Sequence, residues 1–277
     1  MDFTYTETQD MIRDTLSRFL ADSYEFEHRQ KLINSDAGRD PGVWKALAQD
    51  LGLLGAAFAE EQGGLGGGAL EHAIIMEEMG KVLAVEPYIP TIVVAGSALT
   101  AVGGAVADEM IPAIIGGDAI VAFAYAEPQG RYNPANLRTT AKKEGAGYVI
   151  NGHKSVVYAA PWASHLLVTA RSGGGTSERD GISLFLIDAA SAGISRRDYP
   201  TVDGNRASEI YFENVSVPAE ALLGAEGGAL PLIEKIMDEA TVAICAEAVG
   251  VMQKLHEGTL EYTQQRKQFG VPISKFQ

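Results

Sequence analysis

Gly116-Gly-Asp-Ala-Ile-Val-Ala-Phe-Ala-Tyr125 is the stretch on which the architecture turns. Before it, apolar residues recur at three- and four-residue steps. After it they come in short runs rich in β-branched and aromatic side chains, the pattern of strands. The glycine pair marks the join. The expectation is a helical N-terminal domain over residues 1–116 and a β-domain over residues 117–226.

Toward the N-terminus, Ile12, Leu16, Phe19 and Leu20 fall on one face of an amphipathic helix over residues 6–21, with Asp10, Arg13, Asp14 and Arg18 elsewhere. Further helices are expected over residues 43–51, 70–83, 92–101 and 106–115. Glu60-Glu-Gln-Gly-Gly-Leu-Gly-Gly-Gly68 is not followed by Gly-Lys-Ser/Thr, so it reads as a loop bending into the next helix rather than a phosphate cradle. Toward the C-terminus, strands are expected at residues 120–125, 137–143, 148–154, 166–170, 182–187, 193–197 and 209–212. Glu144-Gly-Ala-Gly147 signals a hairpin and Asn151-Gly152 a second tight turn, so the sheet is expected to be antiparallel. From residue 230 to 265 the helical period returns, with Ile233, Met237, Ala240, Ile244, Glu247 and Val251 on one stripe. Residues 227–277 therefore open a second helical domain, and the stripe calls for antiparallel partners beyond Gln277 or on another chain.

The 277 residues are 46% hydrophobic, enough for a sizeable core, and the net charge of −14, with no Lys/Arg cluster, argues against nucleic acid and an anionic membrane surface as partners. No apolar run suffices to span a bilayer, and the single cysteine, Cys245, reads as a small packed side chain. A soluble cytoplasmic protein fits these features. The histidines are scattered without paired spacing, which speaks against a metal site. One carboxylate stands out. In Ala240-Thr-Val-Ala-Ile-Cys-Ala-Glu-Ala-Val-Gly-Val-Met252 the sole charge is Glu247. Desolvation would push its pKa toward the range of a general base, but a buried pair with an arginine or a backbone donor is the commoner use of such a residue.

Ala126-Glu-Pro128, Tyr148-Val-Ile-Asn-Gly-His-Lys154 and Arg266-Lys-Gln-Phe-Gly270, together with Leu51-Gly-Leu-Leu-Gly55 and Glu213-Asn-Val-Ser-Val-Pro218, resemble the acyl-CoA dehydrogenases. The resemblance spans nearly the whole chain. It implies a mainly α fold with a middle antiparallel β-domain: a helical N-terminal domain, a small β-barrel and the start of a C-terminal helical bundle. It also implies FAD held between subunits, an acyl-CoA substrate oxidised between Cα and Cβ, and electrons passed to an electron-transfer flavoprotein. Glu127-Pro-Gln-Gly-Arg-Tyr132, Lys154-Ser-Val-Val157 and Cys245-Ala-Glu-Ala-Val-Gly250 are similar to the small subunit of the heteromeric, pimeloyl-CoA type, which implies a second acyl-CoA dehydrogenase subunit in a heterodimer or heterotetramer.

Residue by residue, the resemblance assigns Phe123, Tyr125, Ala126, Val156 and Tyr158 to the flavin ring, and Arg266, Phe269 and Gln277 to the adenosine-diphosphate end of a neighbouring subunit's FAD. Tyr132, Asp238 and Thr241 fall at positions that contact the CoA thioester. Ala126 replaces the usual threonine, Val156 and Tyr158 replace a tryptophan and a threonine or serine, and Thr241 replaces an arginine. The family's helix-borne catalytic glutamate matches Ala240, two turns before Glu247, which makes Glu247 the candidate base. A companion subunit without chemistry, an acyl-CoA oxidase and a flavin monooxygenase are the rival readings.

Overall fold

The computed structural model describes residues 4–276. Thr6 opens the first helix: its hydroxyl accepts the Gln9 N–H at 3.3 Å while Gln9 Oε1 accepts the Thr6 N–H at 2.9 Å, satisfying two first-turn donors reciprocally. Helix α1 (Glu7–Ser23) then buries Ile12, Leu16 and Leu20. It is followed by α2 (Phe26–Ile33), too short to announce itself by periodicity, α3 (Pro41–Gln49) and α4 (Ala69–Val82). The helix expected at residues 92–101 is a π-helical segment, Ile89–Gly96, running directly into α5 (Ser97–Val102). Pro90 is tolerated because it lies in the first turn, where a missing N–H costs nothing. Helix α6 (Gly104–Ile115) completes the layer, and the glycine-rich stretch before α4 folds back on itself as expected, Gly64 against the Phe58 carbonyl and Gly67 against that of Ala56.

One sheet follows. Strands β1 (Val121–Ala124), β2 (Thr140–Glu144), β3 (Gly147–Tyr158), β4 (His165–Arg171), β5 (Ile182–Asp188), β6 (Ile194–Pro200), β7 (Arg206–Pro218) and β8 (Leu222–Leu223) pair in the order β6-β7-β3-β2-β4-β5-β8, with β1 beside β4. The β2–β3 hairpin turns at Gly145-Ala146, as expected. Two expectations need correction. The sheet is mixed, since β1 runs parallel to β4 and β2 meets β4 in parallel. Nor is Asn151-Gly152 a turn: it lies inside β3, where the ladder to β7 slips between Ile150 and Gly152. Glycine is required there because the backbone passes hard against Thr139, where any Cβ would collide.

The helical and β layers are joined by Thr91 of the π-helical segment. Its fully buried hydroxyl donates to the Val121 carbonyl at 3.1 Å and accepts the Val121 N–H at 3.2 Å, closing the free edge of β1.

Helix α7 (Leu230–Gln265, 36 residues) lies against α4. At the crossing the two main chains touch: a Cβ on Gly80 would collide with the Glu247 carbonyl, and one on Gly250 with the Glu77 carbonyl. This contact sets the rotation of α7. Its buried face runs through Ile233, Ile236, Ala243 and Gly250, so the stripe inferred from periodicity is out of phase: Ile244 is half-exposed, Cys245 is exposed rather than packed, and Glu247 stands half-buried on the flank. A short hairpin, β9 (Lys267–Gln268) with β10 (Val271–Pro272), follows α7. Among the described residues no helix is long and apolar enough to cross a membrane. Gly250→Ala should destabilise the fold by about 1–3 kcal/mol, because backbone rather than a flexible side chain must yield. Urea unfolding of variant and wild type measures it, and equal midpoints would mean that the helices do not touch here.

Candidate functional site

The site begins with a charge that has nowhere to go. Lys154, on β3, is wholly buried, and its ammonium donates to Glu127 Oε1 at 2.8 Å, Thr169 Oγ1 at 3.0 Å and the Tyr125 carbonyl at 3.3 Å. Glu127 also accepts the Thr139 N–H at 3.0 Å, the Arg138 N–H at 2.7 Å and the Gln129 amide at 2.6 Å. Burial alone would raise the Glu127 carboxyl, but the Lys154 charge and these hydrogen bonds outweigh it and hold the group at about 2. Burial pulls Lys154 down to about 8 against the opposing pull of Glu127, so both are charged near neutrality.

The pair fixes the end of β1 against β3, and β3 responds with a bulge. Between the ladder pairs Lys154–Ile210 and Val157–Ser208, two residues, Ser155 and Val156, oppose the single Glu209. Ser155 donates its N–H to the Ala126 carbonyl at 2.9 Å. Val156 takes φ 52°, a left-handed conformation that a β-branched residue adopts only under constraint.

Val156 forms part of the wall of a cavity of about 440 Å³ between the sheet, α4, the π-helical segment and α7. Phe123, Tyr125, Val156 and Tyr158 line one side, with the Phe123 and Tyr125 rings stacked at 4.9 Å. Met76, Met79, Val94 and Ile244 supply an apolar side, and Ala240, Thr241 and Glu247 come from α7. Asp203 and Asn205, from the β6–β7 turn, and Glu86, from the segment after α4, also line it. Burial raises the Glu86 carboxyl to about 7 against the opposing pull of the Tyr24 hydroxyl, which donates to it at 2.8 Å, and of Arg39. The cavity carries carboxylates shifted in opposite directions. Burial and then the Asp203 charge raise Glu247 above the usual carboxyl range. Burial would raise Asp203 too, but hydrogen bonds from the Thr201 hydroxyl and from Asn205 bring it below that range. Such a divergence separates a group suited to take a proton from one that stays ionised.

Of the residues proposed from sequence, Phe123, Tyr125, Val156, Tyr158, Thr241 and Glu247 meet in this cavity. The Thr241 hydroxyl is turned back onto its own helix, donating to the Met237 carbonyl at 2.8 Å. Ala126 lies behind the wall, with its carbonyl taken by Ser155. Asp238 lines a separate cavity on the other flank of α7, with His72 and Glu239. Tyr132 is 92% exposed in the loop between β1 and β2. Arg266 and Phe269 are exposed around the β9–β10 hairpin, and Gln277 lies outside the described residues. Asp203 and Asn205 were not anticipated: Thr201-Val-Asp-Gly-Asn205 carries a turn signal, and nothing in that signal says the turn faces a cavity.

Three family profiles match in series: acyl-CoA dehydrogenase N-terminal domain over residues 6–132, middle domain over residues 122–215 and C-terminal domain over residues 228–277. The chain belongs to the acyl-CoA dehydrogenase family. It is 31% identical to the probable acyl-CoA dehydrogenase YngJ of Bacillus subtilis (strain 168), over all of this chain and 74% of that protein. Among solved structures, the ChsE4-ChsE5 complex from Mycobacterium tuberculosis superposes with a TM-score of 0.86 at 26% identity, covering 100% of this chain and 72% of that one. The FAD complex of PigA superposes with a TM-score of 0.90 at 26% identity, covering 100% and 73%.

The family is one of FAD-dependent oxidoreductases, and the residues present fit that group. A flat heterocycle needs an apolar, partly aromatic wall left uncovered by the protein's own side chains, and Val156 and Tyr158 are both about half-exposed beside the Phe123–Tyr125 stack. A pyrophosphate needs a guanidinium or ammonium, and Arg266 and Lys267 stand exposed at the hairpin.

Glu127→Gln leaves Lys154 charged in a dry interior and should cost about 3–5 kcal/mol. The folded Glu127 titrates below its unfolded value, so its contribution is complete above the unfolded pKa and is lost as pH falls toward about 2. Denaturant unfolding from pH 6 down to pH 2 should therefore show a steeper acid loss in wild type than in the variant; parallel curves would contradict the pairing.

Proposed function

We propose that this chain carries the site for α,β-dehydrogenation of an acyl-CoA thioester, with Glu247 as the base. The reading rests on one observation: the half-buried Glu247 carboxyl lines the same cavity as Phe123, Tyr125, Val156 and Tyr158. A thioester between them would present its Cα to Glu247. The carboxylate, made more basic by burial and by the Asp203 charge, removes the Cα proton. Met76, Met79, Val94 and Ile244 keep water from the acidified carbon. FAD, when bound, supplies the acceptor for the hydride leaving Cβ.

We further propose that the chain works with a second acyl-CoA dehydrogenase subunit, as in the heteromeric pimeloyl-CoA type, in the cytoplasm, with electrons leaving to an electron-transfer flavoprotein. The ring-side residues Ala126, Val156 and Tyr158 depart from the family pattern, whereas Arg266 and Phe269 keep it on an exposed hairpin. That split suits a flavin site completed from two chains, and the two-component naming of the ChsE4-ChsE5 complex supports it. A companion subunit without chemistry is the second reading, favoured by the turned-back Thr241 hydroxyl.

Glu247→Gln keeps the shape but takes no proton. In the native complex, bleaching of flavin absorbance by acyl-CoA should slow by about a hundredfold or more while FAD stays bound. A near-wild-type rate would put the base elsewhere and favour the companion role. Arg266→Ala should weaken FAD retention by about 1.5–3 kcal/mol through loss of a charge-assisted contact. Flavin content after gel filtration reads this, and unchanged content would remove Arg266 from the cofactor site.

A further inference from the structure

The charged residues lining the Glu247 cavity are Glu86, Asp203 and Glu247, all of them acids, and no Lys, Arg or His lines it among the described residues. Their carboxylates are not equally available. The Glu86 side chain is sealed from solvent, with the Tyr24 hydroxyl donating to Oε1 at 2.8 Å and Arg39 Nη1 lying 3.8 Å from Oε2. That guanidinium is held 5.6 Å from the centre of the Trp162 ring, behind the wall rather than in it. Glu247 takes the Cα proton in the reaction proposed above. Asp203 is left without a task.

Its place is fixed from within the turn and from beneath it. The Thr201 N–H donates to the Asn205 carbonyl at 3.0 Å, while Asp203 Oδ1 accepts the Thr201 hydroxyl and, at 3.1 Å, the Asn205 N–H. Below lies Arg29, the one buried residue of α2. Its Nη2 donates to the Asp203 carbonyl at 2.9 Å and its Nε to the Leu83 carbonyl, just past the end of α4, at 2.6 Å. Arg206 returns the tie, donating through Nη2 to the Ile33 and Ser35 carbonyls at 3.0 and 2.8 Å. The turn is therefore latched to the helical layer through main-chain carbonyls rather than through the Asp203 carboxylate. A carboxylate has about four acceptor positions. The turn's own bonds fall on Oδ1, so Oδ2 keeps room for a donor from the cavity.

We propose that Asp203 is a specificity-determining residue, and that the acyl group taken here carries a hydrogen-bond donor, an ammonium or a hydroxyl, on the side that meets this carboxylate. A plain alkyl chain would strip water from the anion and give it no partner. A terminal carboxylate would add a further negative charge to a cavity lined only by acids among its charged residues. The likeness to the pimeloyl-CoA type, which supports the two-subunit assembly, thus does not extend to the acyl group. The inference rests on the function proposed above.

The test uses the native complex with FAD bound and matched acyl-CoA thioesters ending in methyl, hydroxyl, ammonium or carboxylate, over a range of chain lengths. Flavin bleaching at sub-saturating thioester gives each rate. At the best-fitting length, wild type should favour the ammonium and hydroxyl ends over methyl, and methyl over carboxylate. Asp203→Asn keeps an oxygen acceptor for Thr201 and Asn205 but drops the charge, so the ratio of ammonium-ended to carboxylate-ended rates should fall about tenfold or more. A ratio cancels any effect on Glu247 that all the thioesters share. Arg29→Gln leaves the charge and loosens the latch, and should lower the same ratio. An unchanged ratio in Asp203→Asn overturns the role of Asp203, as does a wild type that reduces the methyl-ended or carboxylate-ended thioester fastest. An unchanged ratio in Arg29→Gln overturns the latch. Absence of bleaching by every thioester overturns the proposed function instead, so the two failures are told apart.

Discussion

An ammonium group with no access to water must be answered from within the protein, and the buried Lys154 ion pair with Glu127 is the constraint from which the site follows. Glu127 lies at the close of β1, so answering Lys154 draws the following loop inward until the Arg138 and Thr139 N–H groups reach the same carboxylate. The Ala126 carbonyl is thereby presented to Ser155, and β3 takes up the difference as a bulge. A buried pair of this kind adds little net stability over an apolar substitute; what it adds is a single allowed geometry. Here that geometry is the direction in which Val156 and Tyr158 face.

The cavity needs a second wall at a defined distance, and two devices set it. The Thr91 hydroxyl, hydrogen-bonded twice to Val121, ties the π-helical segment to the sheet edge. Glycine at 80 and 250 lets α4 and α7 meet without side chains between them, which fixes where Glu247 stands along the helix. Polar bonds therefore hold one side of the cavity and close backbone packing the other.

Much of this was legible in the sequence. The change of period at Gly116-Gly117, the bounds of α7 and the β2–β3 hairpin follow from local chemistry and appear where expected. Asn151-Gly152 misleads because glycine serves both a turn and a close backbone approach, and only the neighbouring Thr139 tells them apart. The phase of α7 misleads because a glycine contact, invisible to hydrophobic periodicity, outweighs Ile244 and Cys245 in choosing the inner face. In the candidate site, Phe123, Tyr125, Val156, Tyr158, Thr241 and Glu247 come together, whereas Asp238, on the same helix as Thr241 and Glu247, lines a cavity on the other flank. Two loop residues escape: Asp203 reads as a turn, and Tyr132 stands in solvent.

The crossing of α4 and α7 has a further consequence. Main-chain contacts have no rotamers, so this junction cannot be repacked by substitution in the way an ordinary helix interface can. The residues free to vary are those around it, and they include Met76, Met79 and Ile244, whose flexible or half-exposed side chains line the cavity. Pocket shape is thus open to evolutionary change at positions that leave the depth of the carboxylate untouched. Under the function proposed above, a scaffold divided in this way can be fitted to a new acyl group without being re-aligned for the chemistry.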